Sequence, residues 1–161
     1  MVVILLGAAG AGKTTVGRAL AEQFSWRFVD ADDLHTPGAI AKIRSGVPLT
    51  DVDRAPWLAA LHGIVATALE RREPLVLACS ALKQRYRDTL RGTLRTVRFV
   101  YLEASEATLA ERLAHRRGHF AGPSLLATQL AALEAPADAL AIDATLPPDR
   151  IVDTIANEFG L

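Results

Sequence analysis

The string Gly7-Ala8-Ala9-Gly10-Ala11-Gly12-Lys13-Thr14 follows the apolar run Val2 to Leu6 without a gap and leads straight into an amphipathic stretch, Lys13 to Gln23. Few folds admit a strand, a glycine-rich turn and a helix in that immediate order. The string fits G-x-x-x-x-G-K-[ST], in which small residues let the backbone curl until successive N–H groups face phosphate oxygens. The helix that follows adds its positive N-terminal end. Lys13 is therefore expected to bridge the β- and γ-phosphates of a nucleotide as a catalytic cation, and the Thr14 hydroxyl to ligate Mg²⁺. With Thr15 beside them, these residues form the expected nucleotide-binding segment. Alanines inside the loop cost it little, because the phosphate contacts come from backbone N–H groups.

Short apolar runs recur at wide spacing beyond this point: Arg27 to Val29, Leu75 to Cys79, Val97 to Leu102 and Ala139 to Ile142. Helical patterns lie between them, from about Asp51 to Arg72, Lys83 to Arg91, Glu106 to Arg117, Ser124 to Leu133 and Asp149 to Phe159. Strand and helix in alternation predict an α/β chain with a parallel sheet and helices on both faces. At 161 residues the chain suits one domain, 1–161, with no internal repeat or dividing linker. The loops Ala31 to Pro37, Gly46 to Asp53 and Gly118 to Pro123 are where chemistry is expected.

Eighteen basic and eighteen acidic residues cancel, so no global field favours nucleic acid or an anionic membrane. Cys79 is the only cysteine, which excludes an intramolecular disulfide and suits a reducing compartment. Met1 to Gly12 lacks the basic start of a signal peptide, and no apolar run approaches the ~20 residues of a membrane helix, so a cytoplasmic protein is expected. Cys79 ends a buried run without a base near it and is expected to be inert. Trp57 and Leu58 read as core or pocket wall, and His62 and His115 as isolated surface residues.

The second strand ends in Asp30-Ala31-Asp32-Asp33-Leu34-His35, bringing three carboxylates and an imidazole to the carboxyl edge of the sheet. For phosphoryl transfer to an alcohol, one carboxylate can take the acceptor proton and another can hold a metal-bound water. Asp32 is the candidate for catalysis. Asp33 reads as a cap or a solvated turn.

Several segments together resemble the small P-loop gluconokinases: Asp30 to His35, Gly46-Val47-Pro48-Leu49-Thr50-Asp51-Val52-Asp53-Arg54-Ala55-Pro56-Trp57-Leu58, Cys79-Ser80-Ala81-Leu82-Lys83 with Tyr86-Arg87-Asp88, and Gly118-His119-Phe120. The resemblance runs from the phosphate loop to about Pro136. It implies a three-layer α/β/α P-loop fold with five parallel strands and a small lid at about 117–123. It also implies ATP-dependent phosphorylation of D-gluconate to 6-phospho-D-gluconate, with Mg²⁺ as cofactor, and a homodimer is compatible with it.

A polyhydroxy carboxylate needs cationic or N–H donors for its carboxylate and mixed partners for its hydroxyls. Arg54, Lys83 and His35 would supply the first, Asp32 and Ser80 the second, and His119 would join from the lid. By the same resemblance, Arg112 and Arg116 share a helical face. Arg112 would stack on adenine, and Arg116 would reach the transferring phosphoryl group as a catalytic residue. Two other readings stand beside this one. One is a related small kinase for another sugar acid or a shikimate-like acid. The other is a nucleotide-binding regulatory module without catalysis, to which an acidic acceptor loop and a lid arginine pair would be superfluous.

Overall fold

The structure, a computed structural model, describes residues 1–94, 96–115 and 123–161. All five apolar runs are strands: β1 (Val2–Leu6), β2 (Arg27–Asp30), β3 (Leu75–Ala78), β4 (Val97–Glu103) and β5 (Leu140–Asp143). They pair in parallel in the order β2-β3-β1-β4-β5, with Val2 opposite both Leu75 and Val97. β1 is central, and every residue in it is buried. Its alternation feeds two cores. Val2, Ile4 and Leu6 pack with α3 (Asp51–Glu70) and α4 (Gln84–Arg91) on one face, through Trp57, Leu61, Val65 and Leu90. Val3 and Leu5 pack on the other face with α1 (Lys13–Phe24), α5 (Glu106–Ala114), α6 (Pro123–Ala132) and α7 (Pro148–Phe159), through Leu20, Leu109, Leu126 and Ile155. Each buried Val, Leu or Ile stabilises by roughly 1.5–3 kcal/mol, so the central strand anchors both layers. The outcome is a three-layer α/β/α fold with the glycine-rich loop between β1 and α1. The carboxyl end of β1 lies where connections leave to opposite sides, the crevice in which open α/β sheets bind ligands.

Four local expectations need correction. Ala31 to Pro37 reads as loop, but Ala31–Leu34 is a 3₁₀ turn, and Pro37 opens a short helix, α2 (Pro37–Arg44), over residues to which the sequence assigned no element. Its start is conventional, with the Thr36 hydroxyl accepting the Ala39 N–H and Pro37 in the first turn. Only Ala39 of α2 is buried, so there was no apolar stripe to betray it. Lys83 does not open α4; it is the N-cap, in extended backbone. α5 spans Glu106–Ala114 with His115 as its C-cap, where the sequence predicts a helix to Arg117. Arg116, Arg117, Gly118, His119, Phe120 and all but the last residue of the expected lid lie outside the described residues. Finally, His62 is not a surface residue: it is half-buried, and its Nδ1 lies 3.1 Å from Leu90 O, tying α3 to α4.

α3 begins with a capping box in which the Thr50 hydroxyl accepts the Asp53 N–H and the Asp53 carboxylate accepts the Thr50 N–H. The same carboxylate takes Lys42 Nζ at 2.7 Å, which fastens α2 to α3. That hydrogen bond from Lys42 is the main reason the Asp53 carboxyl is held down at about 2.

Candidate active site

The phosphate loop depends on glycine at three positions. Gly7, Gly10 and Gly12 have φ of 145°, 85° and 93°, conformations that side-chain-bearing residues rarely adopt. At Gly7 a Cβ would also meet Leu102 O at 2.9 Å, and at Gly10 it would meet Leu109 O at 3.0 Å. Lys13 Nζ reaches back to Gly7 O at 2.9 Å and Ala8 O at 3.0 Å, so Gly7 and Ala8 seat the lysine from beneath. α1 has no side-chain cap at Gly12 and no acidic residue in its first turn. Its leading N–H groups and dipole therefore suit an anion.

Ala9 through Thr15 line a cavity of about 760 Å³, and Asp30, Asp32, Asp33, His35, Arg54, Trp57, Ser80 and Arg112 line it too. Arg112 lies at the nucleotide end. Its guanidinium donates to Gly10 O at 3.3 Å and to Ala144 O at 2.7 Å, bridging the phosphate loop and the turn after β5.

Asp30, unassigned from the sequence, joins the two halves of the site. Its Oδ2 accepts the Thr14 hydroxyl at 2.7 Å, and its Oδ1 accepts the Asp32 N–H at 3.1 Å. The first contact sets the Thr14 oxygen beside a carboxylate, a hard donor pair that suits Mg²⁺. Among the described residues no cluster of three or more His, Cys, Asp or Glu could hold a metal.

On the acceptor side, the Asp32 carboxylate is 67 % exposed and lies 3.9 Å from His35 Nε2. His35 stacks on Trp57 with ring centroids 4.5 Å apart and an interplanar angle of 13°. Burial pushes its imidazole below the ordinary 6.5, so near pH 7 it is a neutral N–H donor rather than a cation. Its Nδ1 is buried and has no partner among the described residues. Trp57 is wall and core at once: its indole N–H donates to Ala31 O at 2.7 Å and fixes the turn that carries Asp32.

The cations collect on one ring. Arg54 Cζ, Lys83 Nζ and Arg85 Cζ lie 5.6, 5.8 and 5.4 Å from the Tyr86 centroid. Arg54 also donates to Leu49 O, while Asp51 receives the Tyr86 hydroxyl and the Arg85 guanidinium. The hydrogen bond from Tyr86 is the main cause holding Asp51 below the usual carboxylate range. Arg54 lines the cavity, whereas Lys83 is not among its lining residues. His115 is exposed at the rim. Cys79 is buried and its thiol is pushed up to about 12 by desolvation, so it is inert as expected.

Sequence reasoning passed over Arg87 as well as Asp30. Arg87 is 1 % exposed and donates to Ala81 O, Leu82 O, Gln84 Oε1 and Glu134 O. It clamps the loop that presents Ser80 and Lys83.

Residues 2–136 match a family model described as an AAA domain. A gluconokinase of Gluconobacter oxydans is 41 % identical over 160 residues, covering 98 % of this chain and 90 % of the relative. The thermoresistant gluconokinase of Escherichia coli is 38 % identical, covering 94 % and 89 %. Among solved structures, a gluconokinase from Sinorhizobium meliloti superposes with a TM-score of 0.84 at 42 % identity, covering 98 % of this chain and 94 % of that one. A sugar kinase from Janibacter superposes with a TM-score of 0.89 at 36 % identity, covering 97 % and 92 %. Identity at this level over nearly the whole length, on a P-loop kinase fold, makes the chain a member of the gluconokinase family.

Proposed function

We propose that this enzyme transfers the γ-phosphoryl group of MgATP to a hydroxyl of D-gluconate, giving 6-phospho-D-gluconate. The observation that carries the reading is a single cavity with the phosphate loop at one end and a polar, acid-bearing acceptor pocket at the other. In it, Lys13 neutralises charge on the phosphates, and the first turn of α1 binds their oxygens. Asp32 takes the proton of the acceptor hydroxyl. Its exposure leaves it open to substrate, and His35 beside it supplies a neutral hydrogen-bond partner. Ser80 binds a further hydroxyl, and Arg54 binds the acceptor carboxylate, with Lys83 beside it on the Tyr86 ring adding positive charge from outside the lining. Arg112 borders the nucleotide. Arg116 and His119 would complete the site from the lid.

Thr14, with Asp30 behind it, would hold Mg²⁺, which when bound neutralises the nucleotide's β- and γ-phosphates. The same reading has the enzyme work in the cytoplasm, where a lone thiol such as Cys79 stays reduced. A coupled ADP-release assay with gluconate, other aldonic acids, uronic acids, shikimate and nucleoside monophosphates tests it. Gluconate is expected to give the highest kcat/KM, and an acceptor that beats it tenfold overturns the assignment.

A further inference from the structure

Gln129 belongs to α6, far in sequence from the phosphate loop, yet its Oε1 accepts the Ala9 N–H at 2.7 Å. It lines the same cavity as the loop. The loop has little means of holding itself there. Ala8, Ala9 and Ala11 carry only methyl groups and Gly10 carries none, so no side chain between the first and last glycine can bond the loop backbone. Within the loop, Ala11 N–H donates to Ala8 O at 3.2 Å, and Lys13 occupies the carbonyls of Gly7 and Ala8. The Ala9 N–H is satisfied from outside.

α6 is itself anchored on the acceptor side. Just beyond its end, Glu134 N–H donates to Leu82 O at 2.9 Å, the Glu134 carboxylate accepts Gln84 N–H at 2.6 Å, and Arg87 holds Glu134 O at 2.9 Å. α6 and the turn after it thus touch the phosphate loop through Gln129 and the Ser80–Lys83 loop through Glu134.

We infer that Gln129 is a positioning residue of the phosphate-binding loop, its carboxamide oxygen holding the Ala9 peptide so that the loop keeps its curl for nucleotide. Resting on the MgATP assignment above, this adds a residue to that site that its sequence motif does not contain. A carboxamide suits the place because it accepts an N–H without charge. A carboxylate would accept the same N–H but bring a negative charge to the cavity that takes the phosphates.

The test uses Gln129→Met, which keeps length and loses the acceptor, and Gln129→Glu, which keeps the acceptor and adds charge. MgADP affinity is measured by calorimetry, with thermal melting to follow folding. Gln129→Met is expected to melt within a few degrees of the parent protein, to bind MgADP at least fivefold more weakly, and to raise the KM for ATP by a similar factor. Gln129→Glu is expected to bind more weakly than Gln129→Met at pH 8. Relative to the parent protein it should recover toward pH 5.5, as its carboxyl takes up a proton. Gln129→Met binding MgADP within twofold of the parent overturns the inference, whatever its melting temperature. So does a Gln129→Glu deficit that pH does not move. No acceptor is present in the titration, so a protein inactive on every sugar acid would sink the gluconate reading and leave this comparison standing.

Discussion

Asp32 and Asp33 both line the cavity, but their surroundings differ. The Asp32 N–H is held by Asp30, and its carboxylate lies beside the His35 ring that Trp57 supports. On the proposed reading, that fixed backbone and neutral neighbour favour Asp32 over Asp33 as the base for an acceptor hydroxyl. Asp32→Asn keeps the shape and removes the base, so kcat should fall ~10²-fold or more with nucleotide affinity nearly unchanged. Asp33→Asn should be mild in the same steady-state assay, and an exchange of the two phenotypes would assign the base to Asp33. The phosphate-loop residues were legible in the sequence because loop, lysine and helix start are contiguous. Asp30 was not, since its partner Thr14 sits on another element and only the β1-β3-β2 arrangement brings them together. The same holds for Gln129, whose contact spans 120 residues. Lys83 was legible as a cation after β3, but not its seat on the Tyr86 ring outside the cavity lining.

Strands and long helices were readable because each buries an apolar face, and the five apolar runs became the five strands within one or two residues at their ends. α2 was invisible for the opposite reason: Thr36 and the Lys42–Asp53 ion pair hold it, not an apolar stripe. The clamp between α4 and the segment after α6 is similar, since its partners are mostly backbone carbonyls that leave no mark in the sequence. Arg87 there donates to three carbonyls and the Gln84 amide oxygen from a site almost without solvent. Arg87→Leu would take the guanidinium donor from Ala81 O and Glu134 O, while Leu82 O keeps the Glu134 N–H, at about 1–3 kcal/mol for each group that water cannot reach. A loss of roughly 3 kcal/mol or more in urea unfolding is expected on that count. Arg87→Lys should recover only part, because an ammonium cannot span the fork. Because the clamp holds the Ser80–Lys83 loop, the gluconate KM should rise in Arg87→Lys by a larger factor than the ATP KM. Equal rises in both would make the clamp a matter of stability alone.

Across the whole molecule, groups displaced in opposite directions frame a pH window of maximal stability. Asp51, Asp53 and Asp143 have carboxyls held below 3.8 in the folded chain, and the imidazole of His35 is held below 6.5. For all four the unfolded chain binds protons first, so their stabilisation is present above the ordinary values and is lost as pH falls. A small loss is expected below pH 6.5 from His35 and a larger one below about pH 4 from the carboxylates. On the alkaline side the sign reverses. Cys79 is raised from 9.0 to about 12, because desolvation in the core disfavours its thiolate. The unfolded chain therefore loses that proton above pH 9 while the folded chain keeps it. Stability should fall there by up to ~1.4 kcal/mol per pH unit until ionisation in the fold catches up. Tyr86 and Tyr101, also raised by burial, add to the decline only above pH 10. Urea midpoints measured from pH 8 to 10 separate the thiol from the phenols. The parent protein should lose stability through that interval, and Cys79→Ala, though less stable at pH 8 for want of the buried sulfur, should stay nearly flat. Parallel curves for the two proteins would mean that the thiol ionises as readily in the fold as in the unfolded chain, and would remove Cys79 from the dry core between β3 and α4.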